Sequence, residues 1–336
     1  MSGGVTSFAF PVLVCDIGGT NARFSLKETP DADLSAPVHV RTGDFPGLAE
    51  AIASVEPKLK ARPRSVIACG AGPIVDEKLK LSNADWLIEG RAVARALKLD
   101  GGLLLNDFEA QALSLPVIPD AWTRQIGPLA FGCEGPRVIL GPGTGLGVAA
   151  LIEAQGKHTP VSSEFCHMSF GPASEEEFAI WPHLERAHGR ITTESVTNGA
   201  GLARVYRARM AARGKTPEFD DPAQVTAAAL ADRASDAAEG VRLYWRIFAR
   251  LAGDAAIAFL ARGGVTLAGG VLPRIVDLLD DAAFRAAFED KAPVDGLARA
   301  IPTRLVIQAD SVLVGMAAIA AAPERYAIDY ENRAWT

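Results

Sequence analysis

Five side chains carry most of the chemistry legible in this chain of 336 residues. Asp16 ends the apolar run of "VLVCDIGGTNARFSL" (12–26) and is followed, after Ile17, by Gly18, Gly19, Thr20 and Asn21. Asp107 follows Asn106 at the end of the apolar run of "GGLLLNDFEAQAL" (101–113), where a helical pattern begins. Glu164 and His167 lie in "SSEFCHMSFGPASEEEF", and Glu194 lies in "TTESVTNGAG". A carboxylate ending a buried strand is costly unless it is paired or holds a cation. Beside phosphates its natural task is Mg²⁺, met directly or through water; the structural alternative for Asp16 is to cap the N–H groups of its own turn. For Asp107 the alternatives are an N-cap and a general base toward a substrate hydroxyl, worth ~10²–10⁴ in rate. The carboxyl end of a strand, where Asp107 stands, is also where open α/β sheets bind ligands.

Glycines supply the second kind of chemistry. Gly18-Gly19-Thr20-Asn21 and the later "LGPGTGLGVAAL" (140–151), with Gly143, Thr144 and Gly145, share one plan: apolar strand, glycine turn with a threonine, apolar strand. Such turns tolerate positive φ, let a ligand approach bare backbone and form N–H concavities that suit anions. They suit a plain β-hairpin equally well. The pairing of Asp16 with a second Gly-Thr loop favours phosphate binding, and the echo suggests two related halves. "VTLAGGVLPRI" (265–275) places Gly269-Gly270 between a strand and a Pro-led helix, either to let a flat ring lie on the backbone or as an ordinary βα connection. Two other nucleotide motifs fail: "GPGTGLG" does not fit GxGxxG, and "GKT" at 214–216 has Arg209 where a P-loop needs its first glycine. Asn83, Asn106, Asp107, Glu164, His167 and Glu194 together make a set suited to a neutral polyol, because amides and carboxylates pair with vicinal hydroxyls. "SEEE" at 174–177 reads instead as a capping box opening a helix.

The elements that must position these groups alternate along the chain. Strands are expected at 12–16, 22–27, 65–70, 102–106, 137–141, 146–152, 264–268 and 303–308. Helices are expected at 46–60, 86–98, 107–114, 174–188, 200–213, 222–232, 235–262, 272–289 and 311–322, with 211–223 a polar surface connection. This is α/β architecture with a partly parallel sheet. Composition is that of an ordinary globular chain, 49% hydrophobic and 22% charged, long enough for two domains. A net charge of −6 argues against a nucleic-acid partner. Four scattered cysteines with no CxxC pair argue against a disulfide framework or a thiolate zinc site, and for a reducing compartment. The N-terminus lacks a basic n-region, and the uncharged runs are too short and Gly-rich to span a bilayer, so a cytoplasmic chain with no membrane partner is expected.

In order and spacing, "DIGGTNARF", "SNADW", "NDFEAQAL", "GPGTGLGVA", the Glu and His of "SEFCH", "SEEE", "TTESVTNGAGL", "LAGGVLPR" and "FRAAFEDK" resemble the bacterial glucokinases of the hexokinase type, within the sugar kinases of the actin-like ATPase fold. The likeness runs from about Val12 to Ala322. It implies a two-domain fold with an interdomain cleft: a smaller α/β domain of 1–117 with a return at 309–323, a larger one of 118–308, and a tail at 324–336. It implies ATP and Mg²⁺, with Asp16 serving the ion through water and Gly18, Gly19, Thr20 and Asn21 forming the first phosphate loop. Gly143, Thr144 and Gly145 would form the second loop, and Gly269 and Gly270 would flank the adenosine. Asn83, Asn106, Glu164, His167 and Glu194 would hold glucose while Asp107 takes the proton of the 6-hydroxyl as it attacks the γ-phosphate. A homodimer is implied too. One departure stands out: the family has two glycines between Glu164 and His167, and here they are Phe165 and Cys166, which narrows backbone freedom at the sugar pocket. Rival expectations are a kinase for mannose or fructose, a non-catalytic sugar sensor, and a phosphatase or ATPase of the same fold. The absence of a helix-turn-helix ahead of the first strand counts against a DNA-bound sensor, and retention of both Asp16 and Asp107 counts against a dead enzyme.

Overall fold

The run Val12–Ile17 is a strand whose first four residues are wholly buried, as befits a central strand covered on both faces. The computed structural model describes residues 7–82 and 84–335. Val12–Ile17 belongs to a six-stranded sheet ordered Ala334–Trp335, Gly101–Asn106, Ser65–Gly70, Val12–Ile17, Asn21–Lys27, Val38–Arg41. Gly101–Asn106, Ser65–Gly70 and Val12–Ile17 run parallel, and the other three strands are antiparallel to their neighbours. Register then does the work that matters for chemistry. Asp16 lies beside Cys69, and Gly70 beside Asn106, so three parallel strands end together at one edge.

A second six-stranded sheet is ordered Lys157–Ser163, Leu146–Ala154, Arg137–Pro142, Gly264–Leu267, Thr303–Val306, Thr123–Ile126. Arg137–Pro142, Gly264–Leu267 and Thr303–Val306 are parallel, and Thr123–Ile126 is antiparallel at the edge. Setting aside one antiparallel edge strand in each, both sheets order their strands third, second, first, fourth, fifth along the chain. The Gly-Thr turns fall between first and second strand in each, so the sequence echo has a topological counterpart. The chain divides into two compact units, one of Met1–Pro119, Leu151–Val161 and Asp310–Thr336, the other of Asp120–Ala150 and Ser162–Ala309.

In the first unit, helix Ser311–Ala321 packs on helix Asp107–Ser114, the element that begins with the candidate base. Gly315 permits the approach: a Cβ there would stand 2.5 Å from the Ser114 Cβ. In the second unit, the long helix Asp236–Ala258, capped by Ser235, sets Trp245 edge-on to Phe284 of helix Asp281–Glu289, with Tyr244, Phe248 and Phe288 also buried. Among the described residues no helix is long and apolar enough to cross a membrane.

Several expected helices are shorter or divided, each for a local reason. The 46–60 helix is Leu48–Val55 followed by a 3₁₀ turn at Pro57. The 86–98 segment opens with a short strand, Leu87–Glu89, before helix Gly90–Leu97, which ends on Lys98 with φ 53°. The 174–188 helix stops at Ile180, ahead of Pro182, and 272–289 is two pieces because Asp280 caps a new helix. The tail is not a loose end. Tyr330–Arg333 is a helical turn and Ala334–Trp335 pairs antiparallel with Gly102 and Leu103. Trp335 is buried over Gly90 and Gly102, where any Cβ would collide with its indole, and Arg333 reaches buried Glu109 at 2.5 Å.

Candidate active site

In the first unit, Asp16 does not stand alone. The tight hairpin Val12–Ile17/Asn21–Lys27 sets Arg23 opposite it, and the two form an ion pair. Arg23 also reaches Asp310, at 3.4 Å, just ahead of helix Ser311–Ala321. On the other flank the Cys69 thiol donates to Asp16 Oδ1 at 3.5 Å. Burial, then the charges of Asp16 and Asp107, push the Cys69 thiol well above its ordinary pKa, so it stays a neutral donor. Asp16 is thus held by partners on both sides and does not serve as a turn cap.

Asn106, not Asp107, takes the capping role. Asn106 is the N-cap, its Oδ1 accepting from Phe108 N at 3.0 Å and Glu109 N at 3.3 Å. Its Nδ2 donates to Gly72 O at 3.3 Å, which leaves one amide hydrogen for a ligand. Asp107, the first helical residue, accepts at Oδ1 from Phe108 N, 2.9 Å away. Burial raises its pKa to about 6; the bond from Phe108 N works against this, and the Asp16 charge adds to it. A carboxylate so poised is mostly ionised at neutral pH yet more basic than a solvated aspartate, as a general base should be.

The first glycine turn is closed by Gly18 N donating to Asn21 O at 2.9 Å, with Thr42 Oγ1 donating to Gly18 O at 2.7 Å. Thr20 and Asn21 are exposed at its tip. The second turn is closed by Gly143 N to Gly145 O at 2.8 Å. Contrary to the expectation of positive φ, Gly18, Gly143 and Gly145 keep ordinary backbone angles; their value is the missing side chain. At Gly143 a Cβ would meet nothing within 4 Å, so that face of the loop is open. Gly269 is the position that needs its freedom, with φ 84° and Pro142 O only 2.4 Å from where a Cβ would be. That close approach sets the Gly269-Gly270 turn against the second loop.

The second loop also rests on a helix N-terminus. Asn198 caps helix Gly199–Ala212 by accepting from Gly201 N at 2.7 Å, and its amide donates to Thr144 O at 3.0 Å. Gly199 N donates to Gly143 O at 3.0 Å. The positive end of that helix therefore faces a loop with exposed Gly143 and Thr144, an arrangement that favours phosphate.

Glu164 and His167 are brought together by the single 3₁₀ turn Phe165–His167, with 3.5 Å between Glu164 Oε2 and His167 Nε2, and both side chains are largely exposed. Thr193 Oγ1 lies 2.9 Å from Phe165 O and 2.6 Å from Cys166 O, which pins the turn from beneath. Glu194 has a task that the sequence does not announce: its Oε2 accepts from Leu146 N at 2.9 Å, tying it to the second glycine loop, with Oε1 left over. Asn83 lies outside the described residues. The "SEEE" segment is structural as expected: Ser174 caps the helix, and Glu177 is buried, paired with Arg250 at 2.7 Å.

Arg23, Cys69, Asn198 and Thr193 escaped the reading of the sequence. Arg23 had a usable signal, since a hairpin turning at Gly18–Thr20 sets it across from Asp16. Cys69 and Asn198 depend on long-range register and loop contact, which no local pattern reveals.

A profile of the glucokinase family matches residues 13–323. The glucokinase of Sinorhizobium fredii is 44% identical over 330 residues, covering 98% of this chain and 97% of the relative. That of Rhizobium meliloti is also 44% identical, with the same coverage. Among solved structures, a glucokinase from an Antarctic psychrotroph superposes with a TM-score of 0.81 at 29% identity, over 92% of this chain and 98% of the other. A Streptomyces griseus ROK-family glucokinase, solved with glucose and AMPPNP, gives 0.62 at 18% identity over 94% and 99%, which shows a shared fold. The paired sheets, with their Gly-Thr turns at corresponding places, have the actin-like ATPase architecture, and the chain belongs to the glucokinase family.

Proposed function

We propose that this chain transfers the γ-phosphoryl group of ATP to the 6-hydroxyl of glucose, with Asp107 as general base. The observation that carries the assignment is Asp107 itself: Asn106 has taken the capping role, and burial beside Asp16 makes its carboxylate unusually basic. As the sugar's 6-oxygen bonds to the γ-phosphorus and the bond to the β–γ bridging oxygen breaks, Asp107 takes the hydroxyl proton and ADP departs. Positioning and electrostatics supply most of the acceleration in such a transfer. The turns Gly18–Asn21 and Gly143–Gly145 receive the phosphates, supported by the N-terminus of helix Gly199–Ala212; Gly18 N and Gly143 N close the turns, which leaves the N–H groups of Gly19, Thr20, Thr144 and Gly145 for the task. Gly269 and Gly270 would flank the adenosine beside the second loop, Gly269 by packing on Pro142 and Gly270 by its open face. Glu164, His167, Asn106 and Asn83 hold sugar hydroxyls, and Glu194 adds its free oxygen while bracing the loop at Leu146.

The donor set fits a magnesium ion met through water: the Asp16 oxygens are engaged by Arg23 and Cys69, while the Asp107 carboxylate is close enough for the Asp16 charge to raise its pKa. Such an ion, when bound, would neutralise charge on the β- and γ-phosphates. Family resemblance supports a homodimer working in the cytoplasm, at the entry of glucose into glycolysis.

The test is ADP release from Mg-ATP across a panel of hexoses, comparing the native chain with D107N. Turnover on glucose that needs the sugar and collapses in D107N is the expected result. Preference for mannose or fructose would mean that Phe165 and Cys166 have retuned the pocket. Sugar binding without turnover would refute the role of Asp107.

A further inference from the structure

Cys166, standing between Glu164 and His167, completes a donor set with them. Cys166 is buried, its Sγ 3.8 Å from Glu164 Oε2, and one ligand atom each from Glu164, Cys166 and His167 lies within 4.8 Å of the others. Thiolate, imidazole and carboxylate are the three ligand types that Zn²⁺ prefers, and three protein ligands leave a fourth position open. Ligand atoms around a tetrahedral Zn²⁺ centre stand ~3.3–3.8 Å apart, given bonds of ~2.0–2.3 Å. The separations here already approach that, and only the exposed Glu164 and His167 side chains need to close in. Cys166 is fixed through its own carbonyl by Thr193 Oγ1, so one soft ligand is placed in advance.

We propose that Glu164, Cys166 and His167 form a binding site for a thiophilic divalent cation of the Zn²⁺ class, overlapping the sugar position, so that the metal excludes glucose. The overlap rests on the sugar-binding role given above to Glu164 and His167; the metal site does not. Binding forms an M–S bond as the Cys166 thiol releases its proton to the buffer, with no change of oxidation state. Only one cysteine takes part, so the lack of a CxxC pair, which predicted no thiolate zinc site, does not bear on it.

The test is titration of the full chain with Co²⁺, without nucleotide because ATP would itself chelate the metal. The readout is the thiolate-to-cobalt charge-transfer absorption. One equivalent is expected to bind, and C166S, checked by circular dichroism for an intact fold, is expected to lose the band and weaken binding at least ~tenfold. H167N is expected to keep the band but weaken binding. No band in the native chain, or a band that survives C166S and disappears in a variant of exposed Cys133, would overturn the site. Glucose at ten times its own half-saturation is expected to raise the apparent cobalt Kd about tenfold. A band present in the native chain, absent in C166S and indifferent to glucose would support the metal site and overturn the exclusion of glucose, and with it the sugar contacts of Glu164 and His167.

Discussion

Replacing Asp107 with asparagine should make the protein more stable while it destroys activity. Burial and the neighbouring Asp16 raise the Asp107 pKa from its ordinary 3.8 to about 6. At ~1.4 kcal/mol for each pKa unit, the ionised side chain burdens the folded state by ~3 kcal/mol at pH 7. A carboxyl group whose pKa is raised on folding weakens the fold in full above the folded value. The burden fades as pH falls through about 6 toward the unfolded value of ~3.9. Asparagine keeps the oxygen that accepts from Phe108 N and carries no charge. The gain from D107N should therefore be ~3 kcal/mol at pH 7 and ~1.5 kcal/mol at pH 5, measured by urea unfolding. In the same preparations kcat/KM should drop by ~10²–10⁴, and the native kcat/KM should fall tenfold per pH unit below about pH 6. If D107N is no more stable than the native chain at pH 7, Asp107 is not held ionised against its burial, and the account of its basicity fails.

Other variants probe the supports of the site. G315V would drive a side chain into Ser114 and tilt the helix that begins with Asp107, lowering stability by ~1–3 kcal/mol and reducing kcat; a variant as stable and active as the native chain would refute the close packing. E194A should raise the KM for ATP ~tenfold by leaving Leu146 N unpaired, whereas E194Q, which can still accept that bond, should raise it little. An effect confined to the KM for glucose in both variants would mean that Glu194 does not brace the loop. W335A should lose ~3–5 kcal/mol by thermal or urea unfolding, because Trp335 fills the space over Gly90 and Gly102.

What could be read in advance was whatever is written locally. The apolar runs at 12–16, 65–70 and 102–106 declared strands, and Asp107 at the end of the last marked a place where ligands meet a sheet. Asp107 was legible as chemistry, but the residue that frees it from capping, Asn106, was legible only as a sugar ligand. Short edge strands such as Val38–Arg41 and Ala334–Trp335 gave no signal because four or two residues cannot show a period. Glu194 shows the other limit. Its residue type suggested polyol binding, yet its bond to Leu146 depends on where a loop 48 positions earlier comes to rest.

The tail has a consequence for how the chain is made. The strand carrying Leu103 and Asn106 acquires its outer neighbour only from residues 334 and 335, and the helix bracing Asp107 comes from 311–321. During synthesis the first hundred residues must wait for more than two hundred others before their sheet can be finished, a long-range pairing of the kind that folds slowly. A ribosome product stopping short of residue 334 would leave Gly90, Gly102 and Glu109 uncovered beside the strand that ends at Asn106.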